Sequence, residues 1–243
     1  AVMTVSEQIN EEIVNTSKGQ LETELGSIDA DATVTLVVQP YLDVTATGYT
    51  TEGDQVSLKL DITPMYKIVA TTANVKAGDE IEVKADGVGS PNAVVVNAAN
   101  AAGELNINKP IEITVPLPDG CTIDANKQVL VKHTKDNGIV HYYKATVTAA
   151  TGSEPAKVTF TNPNGFSDFE ITTKAPKASI AFNKNDGTTE TQAYTLDNVG
   201  GEFPSDTKSG YTFDGWTFEG ISGGPYKKLV DETLLSELAK AEG

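Results

Sequence analysis

The sequence predicts a mainly β protein: a β-sandwich with an N-terminal helix over residues 1–175, then a small α+β domain over residues 176–243. Three observations point there. Thr is the commonest residue and Leu is scarce, a balance that favours strands. Apolar residues alternate with polar ones in short runs, as they do in strands with one buried face. Clusters of Gly, Pro, Asn and Asp stand between the runs, so the strands are short and many. A chain of 243 residues suits one mid-sized and one small domain, because domains cluster at about 100 to 150 residues.

The first element is expected to be helical. Thr4-Val5-Ser6-Glu7 has the form of a capping box, Val5, Ile9, Ile13, Leu21 and Leu25 recur at helical spacing, and Gly26 ends the run. Asn15 to Gly19 weakens the interior, since these residues favour caps and turns. From Thr33 the period becomes two. Val34, Leu36 and Val38 form one run, and Val56, Leu58, Leu60 and Ile62 form the next, which Pro64 is expected to break.

Further strands are expected at residues 66–71, 80–84, 94–97, 111–115, 129–134, 139–147, 157–161 and 166–172. They make one sandwich or two stacked ones, with a candidate subdivision near residues 103–110. Asp136-Asn137-Gly138 reads as a three-residue hairpin loop with Gly in the left-handed region, and Pro116 to Gly120 as a second turn. Thr173 to Pro176 is a short polar link, and the domain boundary is placed there.

Beyond it, Ser179 to Phe182 and Thr191 to Leu196 flank a turn at Asn185-Asp186-Gly187. In Tyr211 to Phe218 strict alternation sends Phe213 and Trp216 to opposite faces, so a bulge at Asp214-Gly215 is expected to bring both into a core strand. Asp231 caps a last helix running to Ala241, with Leu234, Leu235 and Leu238 as its apolar face.

Composition narrows function. The net charge is -16, from 34 acidic residues against 18 basic ones, and every basic residue is Lys. Without Arg, and with this charge, neither a nucleic acid nor an anionic membrane surface is an expected partner. Cys121 is the single cysteine, so no internal disulfide forms and no thiolate cluster can hold a metal. No run approaches the ~18 apolar residues of a membrane span, and Ala1 to Asn10 has no signal-peptide pattern. The start at Ala1 reads as that of a processed or excised piece of a longer protein.

Gly210-Tyr211-Thr212-Phe213-Asp214-Gly215-Trp216, with the lead-in Gly200-Gly201-Glu202-Phe203-Pro204, resembles the internalin B-type repeat, also called the Listeria–Bacteroides repeat. The resemblance covers residues 177–243 and implies a small β-grasp module of adhesins and other wall-bound proteins, with a spacer or interaction role. Members close with a strand ending in an aromatic residue, whereas this stretch ends in helical sequence, so the last strand is expected outside it. Residues 110–171 resemble a segment of surface proteins of gut Firmicutes, carried by Ile111 to Gly120, Val158 to Thr161 and Phe166 to Ile171. Together these imply a bacterial, Gram-positive, extracellular setting.

Candidate chemistry is sparse. His133 and His141 are the only histidines, and the loop at residues 136–138 sets them opposite each other, where they could hold a metal or sense pH; paired strand histidines are more often plain cross-strand neighbours. Cys121 lacks an orienting base and an electropositive pocket, so a buried or loop thiol is expected rather than a nucleophile. Asn183 to Gly187 fails as a calcium loop because position one falls on Phe182. Asp79, Glu80 and Glu82 read as a solvated strand rather than a glycosidase pair. Tyr211, Phe213 and Trp216 could form a sugar-stacking platform, but a small domain needs its aromatics in the core.

The expectation is a non-catalytic structural or adhesive module, monomeric, with no cofactor, no metal and no catalytic residue. Its partner would be a host or cell-wall protein or glycan. The alternative is a carbohydrate-binding module of a larger extracellular protein, with Tyr142 and Tyr143 as exposed aromatics to test.

Overall fold

The computed structural model describes residues 2–5, 34–53, 55–70, 81–84, 94–95, 102–104 and 110–241. The protein is mainly β. Among the described residues thirteen strands fall into two sheets, one of eleven strands and one of two. The long sheet runs β1 (Val2–Val5), β2 (Val34–Glu52), β3 (Gln55–Ala70), β11 (Asp168–Thr172), β8 (Val129–Thr134), β9 (Val140–Thr148), β10 (Lys157–Asn162) and β7 (Ile111–Pro116). Pairing along this path is antiparallel. At the margins, β4 (Ile81–Lys84) lies parallel to β2, while β5 (Val94–Val95) and β6 (Ala102–Glu104) lie antiparallel to β3.

A single ladder therefore replaces the two stacked sheets expected of a sandwich, and it curls. β9 makes the corner: Ala145 and the residues before it pair with β8, and Thr146 to Thr148 pair with β10. The two ends of the path approach each other, Cα atoms of β1 and β7 coming within 8 Å. Inside the curl lies one core, to which Leu58 and Leu60 of β3, Ile113 of β7, Val131 of β8, Phe160 of β10 and Phe169 and Ile171 of β11 all contribute. The alternation of these strands follows from that one-sided burial, as in the buried-exposed-buried pattern of β7.

Two expectations change here. Thr4 and Val5, read as helix cap and first turn, lie in β1 opposite Asp43 and Leu42; the rest of the expected helix lies outside the described residues. Val-Met-Thr-Val is half valine and carries a further β-branched Thr, side chains that suit a pleat better than a helical turn. Pro64 does not break its strand, for β3 continues to Ala70. The N–H of Val56 points to the β11 side, where the Thr173 hydroxyl accepts it at 2.8 Å, so by alternation the nitrogen of Pro64 points the same way. There β11 pairs no further than Asp61 and β6 begins at Met65, so among the described residues no ladder partner needs the missing donor. The subdivision considered near residues 103–110 falls mostly outside the described residues, although β6 itself pairs with β3.

From residue 178 a second core takes over. β12 (Ala178–Asn183) and β13 (Thr189–Tyr194) form a hairpin, and α1 (Glu232–Ala241) packs Leu234, Leu235 and Leu238 against Ile180, Phe182 and Tyr194. The helix starts where the sequence places it: the Asp231 carboxylate accepts the N–H of Leu234 at 2.8 Å. Between hairpin and helix the backbone is largely irregular. The expected strand at Tyr211 to Phe218 is absent, leaving a single bridge between Trp216 and Tyr226. Gly215 stands beside that bridge at φ 126°, a conformation open to glycine.

The two cores meet through α1. Before β10 joins it, β9 has one free edge, and the first turn of the helix covers it. The Thr233 hydroxyl accepts the N–H of Val140 at 3.0 Å, and the Glu232 carboxylate accepts that of Tyr142 at 2.8 Å. An open strand edge is a template for unwanted pairing, and here two side chains satisfy its donors.

Candidate functional site

His133 and His141 are register partners in the β8–β9 hairpin, their ring centroids 6.2 Å apart. The loop between them is the three-residue type, with Lys135 and Gly138 bonded across it and Gly138 at φ 85°. The two imidazoles differ in surroundings. His133 is fully buried and stacks on Phe169 at 4.2 Å, whereas His141 is half-buried. Both nitrogens of His133 are engaged, Nδ1 with the Tyr143 hydroxyl and Nε2 with Ser167 Oγ, each at 2.9 Å.

Asn164 Nδ2 donates to the same Tyr143 hydroxyl at 2.9 Å. Either neutral tautomer of His133 satisfies these contacts, since the Tyr143 and Ser167 hydroxyls can each donate or accept. Burial, with the neighbouring His141 and Lys135, pulls its pKa from 6.5 down to about 4. Both nitrogens of His133 are engaged in hydrogen bonds, so a metal would have to displace Tyr143 or Ser167 to reach it. Among the described residues no group of three or more His, Cys, Asp or Glu is arranged to hold one.

The other candidates separate in space. Cys121 is buried in the first core, and burial raises its pKa, partly offset by a hydrogen bond from Tyr49, so the thiol stays protonated. Asn185 of the β12–β13 loop donates to Asp206 from both its backbone N and Nδ2, at 2.8 Å each. Asp79 and Glu80 lie outside the described residues, and Glu82 is placed only as a member of β4.

The aromatic trio does not share one environment. Trp216 is half-buried, its ring 5.0 Å from Phe182 and its indole N–H donating to the Pro204 carbonyl at 2.6 Å. Phe213 leans edge-on against it at 5.4 Å. Tyr211 is 72% exposed, with the Lys208 ammonium 4.7 Å from its ring centre. Core packing therefore accounts for Trp216 but not for Tyr211. Conversely, Tyr142 and Tyr143, expected to be exposed, are half-buried, one beneath α1 with its hydroxyl bonded to Ser236 and the other bonded to His133.

A cluster of charged side chains in one concavity escaped the sequence. A cleft of about 450 Å³ lies where the units meet, between the outer face of β8 and β11, the link at residues 174–177, and α1. Lys132, Lys174, Lys177 and Lys240 line it, with Glu170 as the one carboxylate. Tyr142, Thr172 and Ser236 complete its floor. Lys132 is half-buried, and desolvation, then Lys240, lowers its pKa. No spacing could have announced this group, because two strands, a link and a helix each contribute to it.

No family model matches the chain, no curated protein is similar to it in sequence, and no solved structure matches its fold.

Proposed function

We propose that this chain is a non-catalytic structural or adhesive module of a bacterial cell-surface protein, a mainly β unit at residues 1–175 joined to a β-grasp-like module at residues 176–243. What supports the reading is the fate of the side chains best suited to chemistry. The one fully buried imidazole is held at both nitrogens, and the one thiol is buried and protonated. Meanwhile the helix of the second unit closes a strand edge of the first, a coupling that suits a stiff spacer. The test is surface labelling of intact cells carrying the whole gene, with antibodies raised against this segment. Labelling that appears only after lysis would overturn the proposal.

The second reading, a carbohydrate-binding module of a larger extracellular protein, is favoured by one observation: Tyr211 stands 72% exposed, against 42% for Tyr49. A glycan array separates the two, because binding that Tyr211→Ala abolishes favours the second reading, whereas a silent array or binding indifferent to Tyr211→Ala favours the first.

A further inference from the structure

The cleft between the units is anomalous for this protein. The chain carries a net charge of -16, yet four of its 18 lysines face one concavity with a single carboxylate. Like charges gathered in this way repel, and their gathering raises the energy of the folded protein unless an anion relieves it. Surface lysines scattered for solubility would have no reason to converge. Three of the four, Lys174, Lys177 and Lys240, are exposed, while Lys132 forms the half-buried inner end.

Shape and lining narrow the ligand. About 450 Å³ far exceeds one sulfate or carboxylate and suits a ligand of one or two sugar rings. The half-buried ring of Tyr142 supplies apolar surface of the sort that stacks on sugar C–H faces. Glu170, oriented by the Ser57 hydroxyl on its Oε1, keeps acceptor capacity on Oε2 for a sugar hydroxyl. Lysines act as point charges without the bidentate fork of arginine, so they suit carboxylates and sulfates spread along a saccharide.

We infer that this cleft is a binding site for an anionic saccharide, a mono- or disaccharide bearing carboxylate or sulfate, held between the two units. The inference deepens the adhesive reading and rests on it. Because the site draws on β8, β9, β11, the link and α1, a ligand there would bridge the units, and the site exists only when they are docked.

The experiment is calorimetric titration of the whole chain with four probes: a sulfated disaccharide, a disaccharide of uronic acids, a neutral disaccharide and inorganic sulfate. One charged disaccharide is expected to bind, more weakly in raised salt, with the neutral sugar and free sulfate at least about tenfold weaker. The exposed double variant Lys174→Glu/Lys177→Glu should weaken that binding about tenfold or more without altering the circular dichroism, and Lys132→Gln should do the same from the inner end. Lys208→Glu, beside Tyr211, should leave it unchanged. Equal binding of neutral and charged sugars, unchanged affinity in the link variant, or no charged disaccharide bound at about 10 mM overturns the site. Surface labelling of intact cells is independent of these titrations, so the site can fail while the surface reading stands.

Discussion

His133 shows how a residue type suggests chemistry that its surroundings remove. Its folded pKa of about 4 lies below the ordinary 6.5, so the folded protein holds it neutral where the unfolded chain protonates. Above 6.5 neither state binds the proton and the contribution is fully present; as pH falls from 6.5 towards 4 it is lost, by roughly 3 kcal/mol in all. Urea denaturation of the wild type and of His133→Gln should therefore show the stability gap between them shrinking by about that amount between about pH 7 and pH 4. A gap independent of pH would mean that the imidazole is not neutral in the fold. Gly215 makes a second case. A Cβ there would meet the Tyr226 carbonyl carbon and oxygen at 2.8 Å, at a φ already unsuited to side chains. Gly215→Ala is expected to cost roughly 2 to 3 kcal/mol, against about 1 kcal/mol for Gly210→Ala, where φ is also positive but the space is open. The sequence marks Gly215 as special but not the reason, since Tyr226 is no near neighbour in the chain.

Elements were legible where their causes are local. The loops at Lys135 to Ile139 and Lys184 to Thr188 are built alike: a Gly at positive φ, a backbone pair across the ends, and an Asn137 or Asp186 oxygen accepting the N–H two residues on. Each ingredient is present in five consecutive residues, so the sequence suffices. The cap of α1 is equally local, and Asp231→Ala should destabilise the protein by about 1 kcal/mol in thermal denaturation. Where the cause is distant the sequence misleads. Tyr211 to Phe218 alternates well enough to suggest a strand, but a strand exists only beside a partner, and here the partner touches it at Trp216 alone. Pro64 errs in the other direction, because its tolerance depends on where the pairings of β11 and β6 stop among the described residues, which only the assembled sheet decides. The lysine cleft is the extreme case, with every wall supplied by a different element.

At the scale of the whole molecule, α1 belongs to both units. It gives Leu234, Leu235 and Leu238 to the second core, and Glu232 and Thr233 to the open edge of β9 in the first. Melting of the second core would therefore expose the donors of Val140 and Tyr142, and loss of the first would strip the helix of two partners, so each unit stabilises the other. Trp216 is the single tryptophan and packs against the second core, which makes its fluorescence a reporter of that unit alone, while far-ultraviolet circular dichroism is dominated by the strands of the first. In the wild type the two signals should follow one thermal transition. In Glu232→Ala/Thr233→Val the bonds to β9 are gone while the leucine face is untouched, so the tryptophan transition should separate from the strand transition and precede it. The same variant leaves two strand donors unpaired at an open edge, and it should elute as larger species than the wild type on size-exclusion chromatography. Coincident transitions in the variant would show that the helix terminus does not couple the units, and would leave the cleft between them without the fixed geometry that anion binding requires.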